Sequence, residues 1–275
     1  SEWSCVFNRS TESNKASKGA EVQKNDTNPV SAWDIPLALV LLTRLPLPRL
    51  PERVFARQAQ AVWAFPVVGL VIGALACVIG WLALTLSVPP FGCAVLLVAT
   101  LTVTTGAMHE DGLADTFDGL WGGFTPDRRL EIMKDSHIGT YGVLSLIGSQ
   151  LMRFSAVAAL LSAGAFLAII AACVVSRAFM PLLMAALPNA RKSGLSHSVG
   201  APPGGPVAVS LALAGLTGVV LIGGQVILPA LCAAVVVGAL ALVAKAKIGG
   251  QTGDILGASQ QLAEITFLVA IAAQL

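Results

Sequence analysis

Charge is the scarcest ingredient of this 275-residue chain. Charged residues make up 12% of it, about half the roughly 25% of an ordinary soluble domain. The net charge is only +2, which excludes a general electrostatic affinity for nucleic acid. Histidine is nearly as scarce. The three histidines, His109, His137 and His197, lie far apart, which argues against a histidine metal cage. Five cysteines, Cys5, Cys77, Cys93, Cys173 and Cys232, show no paired spacing, and four of them lie in apolar runs. They read as small packing residues, with no disulfide frame and no zinc site.

What is present is hydrocarbon. The chain is 55% hydrophobic with a mean hydropathy of +0.79, and an all-α, polytopic membrane protein is the expected fold. Residues 1 to 30 are polar, carry no signal-peptide pattern and are expected to form a disordered cytoplasmic extension. Residues 31–275 are expected to form a single transmembrane catalytic domain. Residues 35 to 48 are apolar but broken by Arg44, Pro46 and Pro48. They fall short of the ~20 residues a span needs, so an interfacial or re-entrant helix is expected there. About seven spans follow, near 61–88, 90–107, 139–163, 164–188, 206–225, 227–245 and 257–275. Pro66, Pro181 and Pro89-Pro90 mark kinks or turns.

The links between spans sort by charge. Those near 89–90, 163–164 and 225–227 carry none, whereas 49–60, 108–138, 189–205 and 245–256 carry the arginines and lysines. Alternation puts all four charged links on one face, and the positive-inside rule makes that face cytoplasmic, in a cell inner membrane. A transporter would more often place polar groups at mid-membrane, on broken helices in repeated halves. No internal repeat is evident.

One stretch breaks the scarcity of charge. Residues 110 to 135 hold Glu110, Asp111, Asp115, Asp118, Asp127, Glu131 and Asp135, seven of the fifteen acidic residues. Acid is costly beside hydrocarbon unless something compensates it. On a helix with Asp111 as origin, Asp115 lies near ~40° and Asp118 near roughly −20°, so the three share a face. Like charges this close need a cation. Hard oxygen ligands with open positions suit Mg²⁺, which takes one or two carboxylates plus substrate phosphate. A solvated acidic turn is the plain alternative. Gly112 and Gly119 permit close backbone approach to a ligand. His109 falls on another face, as a phosphate contact, an acid/base or a packing residue.

Thr125-Pro126 reads as an N-cap with proline at the first helical position. That helix gathers Arg128, Glu131 and Asp135 on one side. Asp135 either completes the cation site or pairs with Lys134 or Arg128. Gly139 and Gly142 suit backbone contact with substrate, or packing. The link Arg191-Lys192-Ser193-Gly194 suits a nucleotide phosphate, or merely sets topology. Arg153 and Arg177 lie inside apolar spans, where arginine is a functional candidate by default; each either reaches a carboxylate of the motif or snorkels. Asp254 enters the last span from a glycine-rich turn as cap or ligand. Glu264, ten residues further in, needs a partner.

Four motifs together resemble the cobalamin synthase family, the adenosylcobinamide-GDP ribazoletransferases. They are Leu42-Thr43-Arg44-Leu45-Pro46, the run from His109 through Asp111, Gly112, Asp115 and Asp118 to Gly119, the run Met133-Lys134-Asp135-Ser136-His137-Ile138-Gly139-Thr140-Tyr141-Gly142, and Thr252-Gly253-Asp254-Ile255-Leu256-Gly257-Ala258. The resemblance covers residues 32 to 275. The polar extension is outside the family pattern, and Glu110 stands where the family more often has an uncharged residue.

The resemblance implies transfer of a cobinamide-phosphoryl group from adenosylcobinamide-GDP to the ribose hydroxyl of α-ribazole or its 5′-phosphate. GMP is released and Mg²⁺ is the expected cation. The expected site is Asp111, Asp115 and Asp118 on the metal. Asp135 and His109 join them in catalysis, with Arg191, Lys134, Gly139, Asp254 and Glu264 on substrate. Expected partners are the two substrates and the bilayer, with homo-oligomers or other cobamide-assembly enzymes as further associates. Two other classes place aspartates at a membrane edge, the CDP-alcohol phosphotransferases and the prenyltransferases. The first motif here, D-x3-D-x2-D, lacks the alanine-arginine pair of the one and the matched D-x3-D pair of the other. A cation transporter is the non-catalytic alternative.

Overall fold

The computed structural model describes residues 30–191 and 194–275. Nearly all of the expected N-terminal extension, and Lys192 and Ser193 of the basic link, lie outside the described residues. The described chain is helical; its one β-pairing is an isolated parallel bridge between Asn189 and Gln251.

Helix α1, Asp34–Leu42, has nine residues, too few to cross a bilayer. It stops at Thr43, whose hydroxyl donates to the Leu39 carbonyl at 2.7 Å, before the prolines at 46, 48 and 51. Asp34 anchors it. Its carboxylate accepts from Arg57 Nε and Trp63 Nε1, each at 2.9 Å, and from the Ser31 amide. The charged link 49–60 is thereby folded against α1, through 3-10 turns at Glu52–Arg57 and Ala61–Ala64.

The remaining helices follow in order: α2 Phe65–Thr85, α3 Pro90–Thr105, α4 Met108–Gly122, α5 Pro126–Ile132, α6 Thr140–Ser162, α7 Phe166–Ala186, α8 Leu195–Val199, α9 Gly204–Ile222, α10 Ile227–Ile248 and α11 Gly253–Ala272. Pro66 and Pro90 open α2 and α3, where no amide partner is needed. Pro181 lies inside α7.

Among the described residues five helical stretches are long and apolar enough to cross a membrane, or six if a bent pair counts as one span. One of the five, Gly204–Ile248, turns back at Gly223 (φ 64°). Across that turn a Cβ on Gly218 would lie 2.7 Å from Val226. It is therefore two helices, α9 and α10, in the places expected for 206–225 and 227–245.

The bent pair is α3 and α4, which meet at 87°. The span expected at 90–107 is a 16-residue helix, short for a crossing, that turns sharply into the acidic motif. The corner is made by Gly106 and Ala107, both left-handed at φ 65° and 57°. For alanine that conformation costs roughly 1–2 kcal/mol.

Helices α7 and α11 form the centre and are mostly buried, whereas α6, α9 and α10 turn most of their surface outward. Leu144, Leu151, Leu216, Val220, Val235 and Leu242 are among the exposed side chains. So much exposed large aliphatic surface suits a helix bundle with a lipid-facing rim.

Candidate functional site

Helix α4 carries the acidic motif across one end of the bundle, and α11 passes directly beneath it. Glycine sets the crossing. A Cβ on Gly112 would lie 2.9 Å from the Asp254 carbonyl oxygen and 3.2 Å from the Gly257 Cα. The motif glycine thus admits a neighbouring helix, where a ligand was expected. Gly119 does the same for α5, packing on Met133 and the Arg129 carbonyl.

Three charged links meet at this end. Arg129 Nη1 donates to the Lys247 carbonyl at 3.0 Å, and Lys247 Nζ to the Leu120 carbonyl at 2.7 Å. Arg191 Nη2 donates to the Leu130 carbonyl at 3.2 Å. The Asn189–Gln251 bridge holds the 189–191 segment beside the entry to α11, with Ser196 Oγ donating to Gln251 Oε1 at 2.6 Å. Arg191 Nη1 then lies 2.7 Å from Asp254 Oδ2. Asn189 and Ser196 carry no motif signal, and sequence reading did not find them; Gln251 lies in the glycine-rich turn that leads to Asp254.

Two clefts open here, and Asp111 lines both. The narrower, about 240 Å³, is bordered by His109, Arg191 and Asp254 among apolar side chains. The wider, about 490 Å³, is bordered by Asp115, Lys134, Asp135 and His137. Asp115 faces the charges of Asp111, Asp254, Arg191 and Asp118, so five expected site residues, counting Asp115 itself, lie within electrostatic reach of one another.

Asp118 departs from its expected part. One oxygen accepts from the Gly139 amide at 2.7 Å and the other from the Gly142 amide at 2.8 Å. These are amides at the start of α6, so Asp118 caps that helix from α4 and satisfies donors left free there. A Cβ on Gly139 would collide with this carboxylate; Gly139 gives its amide to Asp118 and makes room for it. Among the described residues no three His, Cys, Asp or Glu side chains converge tightly enough to hold a metal by themselves. Asp111 and Asp115, four residues apart and facing the same cleft, remain as a two-carboxylate edge.

Asp135 pairs with neither Lys134 nor Arg128. Its Oδ1 lies 2.7 Å from His137 Nδ1, and Arg128 pairs with Glu131 at 2.9 Å. The hydrogen bond from His137 holds the Asp135 carboxyl below its ordinary range, and the same bond raises the imidazole.

Glu264 lies behind the clefts and lines neither. Arg153 bridges it, at 2.8 Å, to Glu110, at 2.9 Å. Gln260 donates to Glu264 Oε2 at 2.6 Å, and Arg177 lies 3.5 Å from the same oxygen. Thr102 Oγ1 donates to Glu110 at 3.0 Å. All four charged groups are buried. Arg153 therefore does reach a carboxylate of the motif, and Glu110 is a partner for it inside the bundle. His109, 1% exposed, finds no hydrogen-bond partner for either ring nitrogen.

The protein is thus a polytopic helical bundle of membrane-spanning type with an acid-rich, partly cationic double cleft at one end. The chain belongs to the cobalamin-5-phosphate synthase family, whose model matches residues 34–272. It is 43% identical over 242 residues to a protein of Bradyrhizobium diazoefficiens named adenosylcobinamide-GDP ribazoletransferase, covering 87% of this chain and 93% of that one. Proteins of the same name from Brucella canis and Brucella suis are each 41% identical over 248 residues, covering 85% of this chain and 94% of theirs. No solved structure matches.

Proposed function

We propose that this chain is a ribazoletransferase: it moves an adenosylcobinamide-phosphoryl group from its GDP linkage to a ribose hydroxyl of ribazole or its 5′-phosphate. A new P–O bond forms to the ribose oxygen, the P–O bond to GMP breaks, and the hydroxyl loses its proton. The observation that carries this reading is the position of Asp111, on the wall between two clefts at the end where the basic links meet. Two substrates need two adjoining spaces with a charged wall between them. The relatives' names agree with it, and the positive-inside rule puts this end in the cytoplasm.

The donor set fits Mg²⁺. Asp111 and Asp115 supply two carboxylates, the number such a site normally has before substrate phosphate and water complete it. When bound, the cation would neutralise the diphosphate as GMP departs. Arg191 and Lys134 add positive charge at the mouths of the two clefts. Asp254 orients Arg191. Asp135, which lines the wider cleft with Asp115, takes the hydroxyl proton. Asp118 holds α4 to the start of α6 and keeps the other two aspartates aimed outward. Most of the catalytic work is positioning and electrostatics.

The test is incubation of the purified protein in lipid with adenosylcobinamide-GDP, α-ribazole and Mg²⁺. GMP and a cobamide should appear together, and EDTA should stop both. Asp111→Asn and Asp115→Asn should insert normally and lose turnover. Near-normal turnover in the inserted variants would sink the metal assignment, and absence of GMP in the wild type would sink the reaction.

A further inference from the structure

The narrower cleft has an unusual lining for a place beside so much charge. Its walls are Leu42, Phe65, Met108, Met180 and Met184. Methionine thioethers adapt to flat ligands and make favourable contacts with aromatic faces. Among the described residues that line it, His109 is the side chain with every polar atom buried and unpartnered; Arg191 leaves only its Nε so. His109 is buried, and neither of its ring nitrogens is hydrogen-bonded. Asn189 and Ser196 also border the cleft but are bonded to each other and to Gln251. Arg191 and Asp254, which also line it, are paired with each other. A buried polar group left unpaired is destabilising, and a ligand atom of matching chemistry would recover that loss.

The volume narrows the choice. At about 240 Å³ the cleft lies below the ~300–1,000 Å³ of ordinary drug- and cofactor-sized pockets, too small to enclose a corrin macrocycle. Guanine fits its lining less well, because most of the polar side chains that border the cleft are already bonded to one another or to Gln251 and leave little for an amide edge and an exocyclic amine. A benzimidazole fits. It is flat and apolar, and as a nucleoside base it keeps one ring nitrogen as an acceptor. A neutral imidazole presents one N–H for that nitrogen.

We infer that the narrower cleft binds the benzimidazole base of the acceptor nucleoside, with Met180, Met184 and Phe65 against its faces and His109 donating to its free ring nitrogen. The inference rests on the transferase reading and assigns one of its two substrates. The nucleoside's ribose then lies toward Asp111, the residue this cleft shares with the wider one. The guanosine diphosphate part of the donor is left to the wider cleft, beside Lys134 and Asp115. His109 is then a base-recognition residue, and its depth inside α4 has a purpose that phosphate contact does not supply.

The test is equilibrium binding, without donor or metal, of α-ribazole to the lipid-reconstituted protein, followed by benzimidazole fluorescence. GDP binding is measured in parallel. Met184→Trp fills the cleft and should abolish α-ribazole binding while leaving GDP affinity within about twofold. Met184→Leu, which keeps most of the volume but loses the thioether contact, should weaken α-ribazole only about two- to threefold, and its unchanged GDP binding controls for folding. His109→Leu should weaken α-ribazole about tenfold, the scale of one lost hydrogen bond to a buried group. Lys134→Ala should weaken GDP and spare α-ribazole. If Met184→Trp leaves α-ribazole binding intact, or weakens GDP in its place, the assignment is overturned. Should the wild type release GMP with α-ribazole while the cleft variants bind it normally, the assignment falls and the transferase reading stands. Should the wild type neither bind α-ribazole nor release GMP, both fall.

Discussion

Replacing Gly112 with alanine tests whether the α4–α11 crossing positions the site. The new Cβ would lie 2.9 Å from the Asp254 carbonyl oxygen, 3.2 Å from the Asp254 Cα and 3.2 Å from the Gly257 Cα. All three atoms are backbone, so no side chain can swing away. Carbon contacts settle near ~3.5–4.0 Å, so the helices must separate by about 0.5 Å or tilt. Overpacking of this kind costs about 1–3 kcal/mol. The functional loss should be larger than the stability loss, because Asp111 and Asp254 flank the contact. A displacement of ~1 Å at a reacting centre can cost on the order of 100-fold in rate, so a drop of about tenfold or more in GMP release is expected for roughly half that shift. The matched control is Gly148→Ala in α6, where a Cβ meets nothing within 4 Å and helix propensity should improve by up to ~1 kcal/mol. The assay is GMP release per inserted molecule, together with thermal unfolding in the same lipid. Wild-type turnover and melting for Gly112→Ala would show that the crossing is loose and would refute the reasoning.

Arg153→Leu leaves Glu110 without a cation and Glu264 with Arg177 alone, so a loss of about 3–5 kcal/mol is expected, read as a fall in folded protein after insertion; a yield and melting temperature like the wild type's would contradict the network. Asp118→Asn keeps one acceptor and turns an NH₂ group toward an amide, which should cost about 1–3 kcal/mol. Faster amide hydrogen exchange at Gly139 and Gly142 would locate that loss, and unchanged exchange there would refute the cap. Asp135→Asn should return the His137 pKa toward that of a free imidazole in an NMR titration. With Asp135 lowered and His137 raised, the wild-type pair is fully formed between the ordinary aspartate and histidine pKa values. It is lost as pH falls through the lowered Asp135 value or rises through the raised His137 value. Both groups are exposed, so the titration should move while melting does not.

The transmembrane helices are legible in the sequence because each is a long apolar run closed by charge, glycine or proline. The corner at residues 106–107 is not. Gly106 hints at a helix end, but nothing marks Ala107 as left-handed, and that pair turns the acidic motif through 87°. The in-phase spacing of Asp111, Asp115 and Asp118 identifies a shared side of α4. It does not say that the last turn of that side meets the start of α6, which makes Asp118 a cap. The buried acids and arginines announce that partners are required but not which ones. Glu110 and Arg153 are 43 residues apart, and Arg153 and Glu264 are 111 apart, so only the packed bundle decides the pairing.

That pairing changes what Glu110 does for the motif. Glu110 and Glu264 balance Arg153 and Arg177, so the network adds no net charge to the interior, and each carboxylate gains a neutral donor as well, Thr102 for one and Gln260 for the other. Removing any one charge breaks that balance, which is why such groups resist replacement even where an all-apolar core would be as stable. Glu110 and Gly112 stand on either side of Asp111. One ties α4 to α6 and, through Arg153, to α11; the other brings the α4 backbone against the entry to α11. With both neighbours fixed, the backbone at Asp111 has little freedom to shift. A carboxylate held in this way does not need two more ligands from its own helix to present oxygen at a set place between two clefts. Among the described residues no closed three-acid cluster forms, which is compatible with the proposed site, whose remaining ligands would arrive with the substrate.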